Sequence, residues 1–84
     1  MYEVLVIDFE EREIAKRKMF QTEREALDFA DKTLIDYVKE IDGKVEVLGE
    51  YDFGAISGYT LEYGDGYSRD EQLITINVFE IKVE

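Results

Sequence analysis

Cysteine and histidine are both absent from the 84 residues of this chain. Without cysteine, no disulfide or thiolate metal site can staple so small a molecule, and apolar packing has to hold it together. Without histidine, the usual neutral-pH proton shuttle, the histidine-activated nucleophiles and the common zinc ligand are all missing. Long hydrophobic runs are missing too. The longest unbroken aliphatic stretch is Val4-Leu5-Val6-Ile7, far short of the ~20 apolar residues that cross a bilayer. The opening Met1-Tyr2-Glu3-Val4 lacks the basic and apolar regions of a secretion signal, so the expectation is a cytoplasmic chain with no membrane partner. Proline is also absent, and no repeat, linker or low-complexity segment divides the sequence.

Positive charge is scarce. Ten Lys and Arg stand against 21 Asp and Glu, a net charge of −11, and a field of that sign repels nucleic acid and anionic lipid. Direct nucleic-acid binding is therefore not expected. The imbalance is uneven: residues 1–39 hold ten acids and seven bases, whereas residues 40–84 hold eleven acids and only Lys44, Arg69 and Lys82. Most of the net charge lies in the second half.

What is present is enough for a folded globule. Hydrophobic residues make up 45% of the chain and aromatics 13%, ordinary for a single folded domain over residues 1–84. A chain of this size buries only about 60% of its unfolded surface, so its core is small. Residues 2–9 carry Val, Ile and aromatics in the manner of a central strand. Residues 12–20 form a weaker strand whose Lys16-Arg17-Lys18 suggests a solvated edge or, in an oligomer, a site for an acidic neighbour. Thr22-Glu23-Arg24-Glu25 fits a capping box and starts a helix near Glu23. Leu27, Ala30, Leu34, Tyr37 or Val38, and Ile41 recur at steps of three and four as its apolar stripe; Gly43 supplies the stop.

Residues 44–53 alternate. Val45, Val47, Tyr51 and Phe53 fall on one side and Glu46, Glu50 and Asp52 on the other, the pattern of a half-buried strand. A turn at Gly54, a strand over residues 55–63 and a polar, glycine-containing loop over residues 64–71 follow. In the last strand, residues 73–83, the apolar parity switches from Ile74, Ile76 and Val78 to Phe79, Ile81 and Val83. A bulge near Val78-Phe79, or cover on both faces, would account for it. The fold class is thus α+β, ordered β-β-α-β-β-β: one antiparallel sheet of about five strands with a single amphipathic helix on one face.

Motifs for catalysis are weak. Asp52-Phe53-Gly54 matches the kinase metal-binding triplet, but the other kinase elements are missing and the string reads as a strand end and turn. Gly54-Ala55-Ile56-Ser57-Gly58 has the wrong spacing for a nucleophile elbow, and no histidine exists to activate Ser57. Asp65, Asp70 and Glu71 offer hard oxygen ligands but miss the calcium-loop spacing. No cofactor and no catalytic residue is assigned.

The segment with the most to say lies between Val45 and Ser68, where no lysine or arginine occurs but five acids and four of the six tyrosines do. Carboxylates find arginine partners, and tyrosine gives large contact area at low entropy cost. Tyr51, Tyr59 and Tyr63 also fit the core of a small sheet; Tyr67 sits in the loop. The leading expectation is a non-enzymatic module that meets a basic protein surface through Glu46, Glu50, Asp52, Glu62, Asp65 and Tyr67. Its sharper form is nucleic-acid mimicry, with carboxylates standing in for phosphates to inhibit a basic nucleic-acid-binding protein, as small phage and mobile-element inhibitors do. The alternative is an accessory or assembly protein, oligomeric through its strand edges, whose acidity serves solubility. A carboxylate-only enzyme or divalent-metal binder ranks third.

Overall fold

The computed structural model describes residues 1–41, 45–63 and 72–82. Their elements run β1 (Tyr2–Asp8), β2 (Glu13–Phe20), α1 (Glu23–Glu40), β3 (Val45–Leu48), β4 (Ser57–Tyr63) and β5 (Gln72–Glu80). All five strands join one antiparallel sheet in the order β2-β1-β5-β4-β3, with α1 packed on one face. Fold class and element order are as the sequence implies.

The last strand in sequence sits at the centre of the sheet, which explains its composition. β5 pairs with β1 through Val4↔Val78 and Val6↔Ile76 and with β4 through Tyr59↔Ile76 and Leu61↔Ile74. Six consecutive β5 residues, Leu73 to Val78, are buried. The switch in parity therefore reflects cover on both faces. The irregularity in the β4–β5 pairing falls opposite Leu61/Glu62 and not at Val78-Phe79. A second one, in β1–β2, leaves Ala15 as the extra residue between Lys16, opposite Val6, and Ile14, opposite Ile7.

The helix begins where its cap chemistry says it should. Thr22 is the N-cap in an extended conformation, its side-chain oxygen accepting from the Glu25 N–H at 3.2 Å. The second half of the box differs from the usual form: the Thr22 hydroxyl donates to the Glu25 carboxylate at 2.8 Å. The helix C-cap is Ile41, whose N–H donates to the Tyr37 carbonyl; Gly43 lies outside the described residues. Ala26, Ala30 and Thr33 are buried, small enough to bring the helix close to the sheet, and Leu27, Phe29, Leu34, Tyr37 and Ile41 pack around them. Tyr37 and not Val38 completes the stripe, Val38 being exposed. Between helix and sheet, Val4, Val6, Leu61, Ile74, Ile76 and Val78 form the apolar core.

Residues 49–56 depart from the expected alternation. β3 ends at Leu48, and Tyr51 and Phe53 do not continue a half-buried strand face. The chain instead leaves the edge and crosses the sheet face opposite the helix. The physical cause is a set of tertiary anchors: the Thr60 hydroxyl donates to the Glu50 carbonyl at 3.1 Å. The Asp52 N–H donates to the Asn77 side-chain oxygen at 2.9 Å, and the Asn77 amide donates back to the Asp52 carboxylate at 3.1 Å. Gly58 makes room for the crossing, since a Cβ there would lie 2.8 Å from that of Tyr51 and would also meet the Ile76 carbonyl.

Candidate functional site

Strand alternation fixes which face each carboxylate occupies. Leu61 enters the helix-side core and Tyr59 reaches the helix, donating from its hydroxyl to Asp31 at 2.6 Å, so Gly58, Thr60 and Glu62 belong to the opposite face. Glu46 stands directly across from Glu62 in the β3–β4 pairing. Like charges placed opposite each other in an antiparallel pair destabilise it. Glu50 follows, exposed and held above Thr60 through its carbonyl; Asp52 comes next, clasped to Asn77 beside Gly58. Positions 62, 60 and 58 are successive same-face steps on β4, each about 7 Å apart. The acidic positions thus run as one stripe along the face away from the helix.

The expected site residues are partly gathered and partly reassigned. Glu46, Glu50 and Glu62 lie on this stripe. Asp52 is there too, but its carboxylate accepts from Asn77, a residue only 1% exposed, so it anchors the crossing segment rather than standing free for a partner. Asp65 and Tyr67 lie outside the described residues, as do Asp70 and Glu71. Of the tyrosines, Tyr51 is exposed and Tyr59 half-buried. The hydrogen bond to Asp31, then burial and the charge of Asp31, raise the Tyr59 pKa above its ordinary value.

A residue with no place in the expected site stands out at the tip of the crossing segment. Asp52-Phe53-Gly54-Ala55 closes a turn, with the Ala55 N–H donating to the Asp52 carbonyl at 3.0 Å. Gly54 takes φ +93°, a left-handed value that glycine adopts without steric cost. Phe53 projects from this turn with 106% relative exposure. Hydrophobic alternation assigns it to the core, and the available contrary signal is the following glycine, which permits a turn one residue after it.

The basic cluster is already engaged within the chain. β2 is an edge strand, as expected. Arg17 bonds Glu3 through its Nε at 2.8 Å. Lys16 lies over the Tyr37 ring at 5.8 Å, and Lys18 over Phe29 at 5.1 Å and Phe20 at 5.4 Å, favourable cation–π placements.

At the C-terminal end of the helix, a cleft of about 390 Å³ is lined by Asp8, Tyr37, Glu40, Ile41, Leu73 and Ile74, among others. Burial, then the charges of Asp8, Glu40 and Glu13, push the Tyr37 phenol upward. The Asp8 carboxylate accepts from the N–H groups of Glu10 and Glu11 at 3.0 and 3.1 Å, holding the β1–β2 turn. Among the described residues, no three acidic side chains gather as a metal-ligating group, and no helix is long and apolar enough to cross a membrane. Comparison of the chain with protein-family models, with characterised proteins and with solved structures gives no match.

Proposed function

We propose that this protein is a non-catalytic binding module that docks a basic protein surface onto the acidic stripe bearing Glu46, Glu50 and Glu62. The observation that carries the reading is the Glu46–Glu62 juxtaposition across β3 and β4. A fold gains nothing from placing two glutamates opposite each other across a strand pair, and such local conflict with stability is characteristic of a binding site. Cations supplied by a partner remove the repulsion and convert it into charge-assisted contacts. No lysine or arginine occurs from residue 45 to residue 68, so the stretch of chain that carries the pair supplies no neutralising cation from within itself. The stripe also supports the narrower form of the reading, mimicry of a nucleic-acid backbone, in which the partner is a nucleic-acid-binding protein.

Affinity capture from the proteome of the source cells tests both forms. The retained partners are expected to be basic, to elute with rising salt, and to be lost when Glu46, Glu50 and Glu62 are reversed to lysine in a variant with an unchanged circular dichroism spectrum. Asp52 is left out of that variant because its clasp to Asn77 makes it structural. In the mimicry form, double-stranded DNA or RNA competes for the same partner. A partner set that survives the charge reversal intact sinks the proposal and leaves solubility as the role of the acidity.

A further inference from the structure

We infer that Phe53 is the anchor of this module: an aromatic knob that enters an apolar pocket rimmed by lysine or arginine on a folded partner. The inference rests on the acidic-surface reading for the charge of the rim and on the turn itself for the anchor. Phe53 contributes no burial to its own fold, being fully exposed. It also occupies a turn position where proline or small polar residues are the usual choices. Core packing therefore does not explain a phenylalanine here.

The turn beneath it is held in place. The Asn77 clasp on Asp52, the Thr60 bond to Glu50, the closing Ala55-to-Asp52 bond and the Ile56 N–H donating to the Val78 carbonyl at 2.8 Å fix both sides of the tip. An aromatic side chain displayed on a pre-organised support loses little conformational entropy on docking, and aromatic anchors dominate binding energy at interfaces. Tyr51 and Ile56, the apolar residues on either side of the turn in sequence, are exposed as well.

Charge selects the occupant. Glu50, exposed, precedes the tip on the acidic stripe, and a second copy of a chain with net charge −11 meets it with charge of the same sign. A cation-rimmed pocket matches both the ring and the acidic stripe that leads to it, the pattern of an apolar centre within a polar rim.

The test is a selection of phage-displayed protein fragments from the source genome against the immobilised intact protein. The selected fragments are then titrated against wild type, Phe53→Ala, Phe53→Leu and the Glu46/Glu50/Glu62 lysine variant. Phe53→Ala is expected to melt with wild type, because that ring is fully exposed, yet to bind about thirtyfold more weakly or worse, with Phe53→Leu recovering part of the loss. Its salt dependence should match wild type, whereas the lysine variant loses affinity together with salt dependence. Fragments that bind Phe53→Ala as tightly as wild type overturn the anchor; if the lysine variant still abolishes their binding, the acidic-surface reading stands alone. Fragments sensitive to Phe53→Ala but indifferent to the lysine variant overturn that reading and the cationic rim, leaving an uncharged pocket for the ring. A selection that enriches no fragment counts against both.

Discussion

The two faces of the sheet are closed by different physics. On the helix side, Val4, Val6, Leu61, Ile74, Ile76 and Val78 pack against Ala26 and Ala30, and closure comes from apolar area removed from water. On the other side, Thr60, Thr75 and Asn77 are buried polar residues, and the cover is a crossing segment held by directional hydrogen bonds. An apolar face tolerates any filler of suitable volume, but hydrogen bonds fix one geometry. Stability therefore resides mainly on the helix face, and the placement of the Asp52–Ala55 turn is specified on the other.

The largest break in this comparison is expected on the apolar side. Leu61→Ala, at a side chain with 0% exposure, should cost about 2–5 kcal/mol in urea denaturation, combining lost transfer energy with a cavity. In so small a domain that is a large share of the total. Asn77→Ala should cost less, about 1–3 kcal/mol, because the Asp52 groups it satisfied find water once the segment lifts. Its more telling effect is local: amide exchange at Asp52 and Ala55 should accelerate while the β1 and β5 amides keep their order of protection.

Thr75 sharpens the contrast from the opposite direction. Its hydroxyl is buried without a hydrogen-bond partner among the described residues, a polar atom on the polar face that does not contribute to the clasp. Thr75→Val should therefore raise stability by about 1 kcal/mol, read as a higher denaturation midpoint.

The smallest expected effect is pH-dependent. Tyr59 donates to Asp31 only as the neutral phenol, and its pKa is raised above 10.0 chiefly by that bond. Its contribution is complete below the ordinary tyrosine range and is lost as pH rises through the raised value. Tyr59→Phe should remove that alkaline loss, so the gap to wild type, present at neutral pH, narrows at alkaline pH in paired denaturation curves. Tyr37, raised by burial and by Asp8, Glu40 and Glu13, retains its own loss in both proteins.

Local signals were reliable where the structure is local. Thr22 and Glu25 meet within one turn of helix, so the cap is legible in four consecutive residues. The valine and isoleucine of β1 and β5 announce strands through β-propensity whatever their neighbours are. The stripe of Glu46 and Glu62 was legible in part, because each alternates outward along its own strand. Their direct opposition was not, since it depends on the β3–β4 register.

The sequence by itself determined the element order, the helix start, the acid-rich second half and the lack of histidine or cysteine chemistry, because each is a property of composition or of neighbours along the chain. Only the tertiary structure decided that residues 49–56 cross the sheet, that Asp52 is an anchor and that Phe53 faces water. In sequence, Val47, Tyr51 and Phe53 alternate as a buried strand face would. Asn77, 25 residues away from Asp52, and the space over Gly58 redirect the chain, and such long-range competition for hydrogen bonds leaves no trace in a local pattern.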